Sequence, residues 1–244
     1  MTAFPSAAMA SPRSVLARDK LMRTAERLYA EHGFASVSVT KIGEAAGQRN
    51  KSAVQYHFNN RDELITAILE RHMAGIERHR IVMVEALGAQ GEAPLEERIR
   101  CHILPNVEHH IELGTPSWYG RFLAQVIVEP NLREYAIQAH GNLPSVRRLD
   151  ELGRVRWRED DRGVTAQHHA MIRQLTVHMC AEVEYDLAHG RIDPASAEES
   201  WRRLGENLIQ AICGLSVGLL GNRQRGPTAP DQLVPDQPGG HDDR

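Results

Sequence analysis

The sequence lacks nearly every local signature of an enzyme. It has no Gly-x-Ser-x-Gly elbow, no phosphate-binding glycine loop followed by lysine and no paired-cysteine motif. Strand-like alternation is scarce, so a nucleotide site of the strand–helix type has nothing to sit on. Cysteine is sparse: Cys101, Cys180 and Cys213 are odd in number, far apart and set in apolar helical patterns. That excludes a disulfide framework and reads as buried thiols of a reducing cytoplasm. Long apolar runs are missing as well. The start Met1-Thr-Ala-Phe-Pro has no basic segment followed by an apolar one, and the stretch Leu208 to Gly221 is short and interrupted by Gln210 and Ser216. Neither export nor membrane insertion is expected, and the protein is expected to be cytoplasmic.

What is present is helical punctuation. In Ser38-Val-Thr-Lys-Ile-Gly-Glu-Ala-Ala-Gly47, Ser38 can cap a helix whose Val39, Ile42 and Ala46 fall on one apolar face, with Thr40 and Lys41 outward. Gly47 supplies the freedom for a sharp helix exit, and Asn50 is a good cap for a second short helix. In that helix Ala53, Val54 and Phe58 can pack inward, leaving Lys51, Ser52, Gln55 and Tyr56 on a polar face. A two-turn helix that rests on its neighbours and shows one polar side is the outline of a helix-turn-helix, a major-groove reader.

The flanks support this reading. Leu21, Ala25, Leu28 and Tyr29 make an amphipathic helix ended by Gly33, and Asn60-Arg-Asp-Glu63 is a capping box ahead of a long helix carrying Leu64, Ile65, Ile68, Leu69 and Met73. Residues 11–61 hold nine Lys and Arg against four Asp and Glu, a net charge of plus five, whereas the 244-residue chain is minus three; the remainder is therefore about minus eight. Only the N-terminal part should attract a polyphosphate.

The ordered residues Glu31-His32-Gly33-Phe34, Ser38-Val39, Ile42, Ala46-Gly47, Tyr56-His57-Phe58 and Arg61 resemble the tetracycline-repressor (TetR) family of bacterial transcription regulators, over residues 14 to 65. Gly43 stands where an alanine is usual, and Gln55 where a phosphate-contacting tyrosine is common. The resemblance implies that Thr40 and Lys41 approach double-stranded DNA from the first helix of the motif, and that Asn50, Lys51, Ser52, Gln55 and Tyr56 face the groove from the second. It also sets His57 and Arg61 near phosphates. Lys51 and Gln55 are the base-reading candidates, with Arg49 adding charge beside them.

The remaining chain is expected to be all-α. The resulting domain division is an N-terminal arm over 1–12, expected to be flexible, a three-helix DNA-binding domain over 13–60, a helical effector-binding and dimerisation domain over 61–222, and a tail over 223–244 whose proline, glycine and polar residues predict disorder. Turn residues divide the body into about five further helices after the long one, with Pro105 kinking one of them and Pro194 starting the last. Two late stripes, Leu175, Met179 and Val183, then Leu204, Leu208, Ile212, Leu215 and Leu219 with Gly218 beside them, predict a homodimer interface, as the resemblance also implies. A dimer would meet two successive grooves and select a palindromic operator.

An effector cavity is expected among Met83, His102, Asn106, His109, Trp118, Tyr119, Phe122, Gln125, Trp157, Met171 and His178, whose mix of apolar bulk and few polar groups suits a small, largely hydrophobic ligand. By the resemblance that ligand releases a repressor from its operator. His102, His109, His110 and Glu112, with His178 and Glu182, invite a metal reading; one helix can aim only two or three such ligands at a point, so no metal and no cofactor is assigned. The alternatives are a helical metal-binding or enzymatic protein on the same scaffold, and a scaffold that has lost DNA binding.

Overall fold

The computed structural model describes residues 11–48, 53–89, 93–153 and 162–221, and the regular elements among them are ten α-helices with two short 3₁₀ turns. The tail lies outside the described residues, as do residues 1–10. The arm expected over 1–12 ends earlier: Ser11 caps α1 (Pro12–His32) by accepting a 3.3 Å bond from the amide of Ser14, and Pro12 occupies the first turn, where its missing N–H costs nothing. Leu21, Ala25, Leu28 and Tyr29 are buried on the predicted face.

The motif helices are α2 (Val39–Ala45) and α3 (Ala53–His57). Ser38 accepts from the amide of Lys41 at 3.2 Å. At the other end of α2, Gly47 has φ 69°. The amides of Gly47 and Gln48 return to the carbonyls of Glu44 and Gly43, at 2.9 and 3.0 Å. This paired closure satisfies the carbonyls of Gly43 and Glu44 and needs a left-handed residue at Gly47. Gly43 is buried against α3, where an added Cβ would lie 3.5 Å from Val54, an ordinary contact.

Helix α4 (Arg61–Gly88) opens on the expected box, with Asn60 accepting from the Glu63 amide at 2.8 Å. The reciprocal bond differs from expectation. Glu63 reaches past Asn60 to the amide of Asn59, at 2.9 Å. There follow α5 (Leu95–Leu113), α6 (Tyr119–Val128), α7 (Pro130–Gly141), α8 (Pro144–Leu152), α9 (Arg162–Ala188) and α10 (Ala197–Gly221). Among the described residues the body thus has six helices after α4, where the breaks predicted about five. Helix α5 runs through a buried Pro105, and Pro194 starts a 3₁₀ turn just before α10 rather than α10 itself.

Two main cores hold the fold. One joins Leu21, Tyr29, Ile42, Val54, Phe58, Leu64 and Ile68 to Tyr119, Phe122 and Val126 of α6 and Leu132 of α7. The division drawn at residue 60 therefore cuts through a continuous core: the head and the first turns of α4 rest on the body. The other core packs Ile99, Ile103 and Val107 of α5 against Trp201, Leu204, Leu208 and Ile212 of α10, with Cys180 and Leu187 of α9. Trp201 is fully buried and stacks on His110, ring centroids 4.3 Å apart.

Candidate nucleic-acid interface

The outward side of the motif is polar and open. Thr40, Lys41 and Gln55 are exposed, and Tyr56 is 80% exposed, although an aromatic of that size usually finds cover. Beneath them Val54 and Phe58 are buried to 1%. The short α3 therefore has one apolar seam for anchorage and one free face. Tyr56 stands edge-on to His57, centroids 5.0 Å apart. Burial and the nearby Arg18 charge push the His57 imidazole below its ordinary value, so it meets its surroundings neutral. Arg18 lies over the Phe58 ring at 4.7 Å and Arg61 over Phe34 at 6.0 Å, so both cations are held at the rim of the motif by aromatic faces. Four residues of the predicted contact set, Arg49, Asn50, Lys51 and Ser52, lie outside the described residues.

Acidic groups within this domain are turned to internal use. Glu26, on α1, is buried and ion-paired with Arg71 of α4, and Asp19 pairs with Arg23 at 2.8 Å and Arg71 at 3.3 Å. Their charge is compensated from within, whereas Lys41, the one cation of α2, is exposed and forms no ion pair among the described residues, with Glu44 exposed three residues on.

The predicted effector residues do not converge. Phe122 packs with Tyr29 and Phe34 in the head–body core, and Gln125 approaches Gly33 at the end of α1. His109 and Tyr119 pack around His72 of α4: His109 Nε2 is 2.8 Å from His72 Nδ1, and Tyr119 stacks on His72 at 3.9 Å. Asn106 donates its side-chain amide to the His102 carbonyl one turn back, at 2.6 Å, serving its own helix. Met171 and His178 are exposed on α9, against the expectation that they line an interior, because the stripe turned inward there is Val177, Cys180, Glu184 and Leu187. Met83 is half-buried beside Val84, Leu87, Cys101 and Leu149, and Trp118 is half-buried just before α6. Trp157 lies outside the described residues. The described surface does have an apolar groove of about 470 Å³ between α4 and α7, lined by Met73, Ala74, Ile81, Tyr135, Ala139 and Leu143 with Glu70, Glu77 and Arg78. Among the described residues no group of three His, Cys, Asp or Glu side chains could hold a metal ion.

The dimer stripes need one correction. Leu204, Leu208 and Ile212 are buried against α5 inside the protomer, because α10 needs that stripe for its own core. What α10 leaves outward is Ala211, Gly214, Val217 and Gly218, with Leu215 and Leu219 half-buried at the margin; Val217 is 63% exposed. On α9, Met179 is exposed and Leu175 and Val183 are half-buried.

Sequence reasoning missed three buried charged or polar groups: Arg80, Glu184 and His72. Each interrupts an otherwise apolar helical stripe, a signal that was available. Among the described residues no helix is long and apolar enough to cross a membrane.

Comparison with known proteins agrees with the geometry of the head. No curated protein matches the chain. A solved TetR family transcription regulator from Marinobacter aquaeolei VT8 is 14% identical over 80% of this chain and 96% of that one, with a TM-score of 0.49. Residues 21–68, from the inward face of α1 through the motif to the first turns of α4, match the family model described as "Bacterial regulatory proteins, tetR family". Those residues build the helix-turn-helix, so over its head the chain is similar to the DNA-binding region of the tetR family of bacterial regulatory proteins.

Proposed function

We propose that the protein is a homodimeric repressor that grips a palindromic operator with two copies of its basic head and is released by a small, largely hydrophobic effector. The reading is carried by one observation: the head's core is continuous with α6 and α7 of the body, so a rearrangement among body helices re-aims the reading face. Lys41, Gln55 and Tyr56 on the free face, with Thr40 and the motif residues Arg49, Asn50, Lys51 and Ser52, contact the duplex, while His57 and Arg61 stay near its phosphates.

Pairing uses the outward face of α10 with Met179 of α9. Gly214 and Gly218 have open space where a Cβ would stand, so a second copy of α10 can come close, and Val217 between them supplies apolar area. Two heads on a two-fold axis then meet grooves about 34 Å apart. An effector that favours the wrong head spacing weakens DNA binding, and DNA weakens the effector's binding by the same factor.

Val217→Glu tests the assembly. The side chain is exposed within the protomer, so the fold is kept, whereas a charge at the centre of a pairing face splits the dimer. Sedimentation should read monomer, and affinity for an inverted-repeat duplex selected from a random pool should fall at least about tenfold, the loss of one of two linked sites. A dimeric variant with unchanged operator affinity refutes this interface.

A further inference from the structure

Arg80, in the middle of α4, is 1% exposed, and neither its Nε nor its Nη1 has a hydrogen-bond partner. A buried guanidinium without partners is costly, since the desolvation of its charge goes unrepaid. Among the described residues the nearest carboxylate oxygen, Glu77 Oε2, is 3.8 Å away. That carboxylate is committed elsewhere: it accepts from the Ser145 amide at 2.9 Å and from the Ser145 hydroxyl, closing the first turn of α8. The other groups near the guanidinium add no negative charge. Burial and the Arg80 charge hold His140 down to about 4, and with further cations nearby they hold His102 down to about 3, so both rings are neutral. The result is a formed positive site facing neutral imidazoles, inside the helices that carry the body. Arg80 does not itself line the apolar groove between α4 and α7, but Glu77, which does, stands 3.8 Å from the guanidinium, so the two are one side chain apart.

We propose that Arg80 anchors the carboxylate of an amphiphilic small-molecule acid whose apolar body lies in the groove between α4 and α7. A carboxylate brings one negative charge to one guanidinium and accepts from its unpaired N–H groups, the strong charge-assisted geometry. A phosphate would bring more charge than the site returns and does not match the apolar lining. The inference rests on the effector reading above but is separable from it, because binding and DNA release are read independently.

The test uses the full chain and titrates octanoate, octanamide and inorganic phosphate, following the thermal midpoint and calorimetric binding. Octanoate should raise the midpoint, with octanamide and phosphate having no effect. Arg80→Met, close in size and neutral, should weaken octanoate at least about tenfold, as expected for a hydrogen bond to a charged group, and should leave the ligand-free midpoint unchanged or higher. Equal responses to octanoate and octanamide, a response to phosphate alone, or undiminished octanoate binding by Arg80→Met would each overturn the assignment. Should Arg80→Met fold poorly, Ile81→Glu, a charge placed in the groove lining, should abolish the octanoate response, and its persistence would overturn the assignment equally. Release of operator DNA by octanoate is measured separately; binding without release leaves the carboxylate site standing and counts against the effector reading.

Discussion

The Nδ1 atom of His72 on α4 lies 2.8 Å from Nε2 of His109 on α5, so one ring donates to the other in the buried interior. On its far side His72 Nε2 is 3.1 Å from the carboxylate of Glu26, which is itself ion-paired with Arg71. A buried polar chain therefore runs from α1 of the head, through α4, to α5 of the body, with Tyr119 of α6 stacked against its middle. Such a chain is specific in register: the His72–His109 bond and the Arg71–Glu26 pair both need this packing of the head on the body, while His72 Nε2 and His109 Nδ1 make no hydrogen bond of their own.

Acid should unfold the protein early. His102, His109 and His110 are pushed down to about 3 and His140 to about 4, burial being the largest cause in each. In the unfolded chain each titrates near 6.5. Below that value the unfolded state binds protons that the folded state refuses, so stability complete above about pH 6.5 is lost as pH falls. Each histidine withdraws about 1.4 kcal/mol per pH unit over the window, and four together exhaust a typical stability of about 5–15 kcal/mol well before pH 3. Far-ultraviolet circular dichroism should show cooperative loss of helix between about pH 6 and pH 4. Helix retained in full at pH 3 would contradict these burial assignments.

Local punctuation was legible in the sequence; the partner of each apolar stripe was not. Ser38, Gly47 and Asn60 act within four residues of themselves, so their roles follow from residue type and spacing. The stripe Leu204, Leu208 and Ile212 had the right period, but period does not say whether a neighbouring helix or a second copy covers it. Arg80 stands in the stripe Ile76, Arg80, Val84, Leu87, and Glu184 in Val177, Cys180, Glu184, Leu187. A charge in such a place is a warning visible in one dimension, while the group it meets is set by packing in three. The effector residues failed for the same reason: aromatics and histidines fill any helical core, and here His109, Tyr119 and Phe122 fill this one.

Glu184 should prove among the most expensive side chains to remove. Its buried carboxylate accepts from the amides of Gly120 and Arg121 at 2.9 and 3.1 Å, from Arg121 Nε at 3.0 Å and from the Ser117 hydroxyl at 3.2 Å. It thus caps α6 from α9 and neutralises a half-buried arginine. Glu184→Ala leaves the Arg121 charge without its counter-ion and two helix-terminal amides without acceptors, and should cost about 3–5 kcal/mol in urea unfolding at neutral pH. Glu184→Gln keeps acceptor capacity on one oxygen and should cost less. A loss below about 1 kcal/mol for the alanine variant would show that water replaces the cap.

Gln55 and Lys41 should separate reading from holding. Both are exposed on the free face of the motif, so neither substitution disturbs the core formed by Ile42, Val54 and Phe58. Gln55 can pair bidentately with an adenine edge, and Gln55→Ala should cost about 1–3 kcal/mol on the selected operator while leaving non-specific duplex almost unchanged. Lys41 carries charge without a planar fork, and Lys41→Ala should weaken specific and non-specific duplexes alike. It should also flatten the plot of log affinity against log salt by about one unit, the signature of a single lost phosphate contact. Fluorescence anisotropy at several salt concentrations measures both quantities. If Gln55→Ala flattens the salt dependence and Lys41→Ala relaxes sequence preference, the roles are exchanged: α2 rather than α3 then enters the groove, and the orientation of the head on DNA must be reversed.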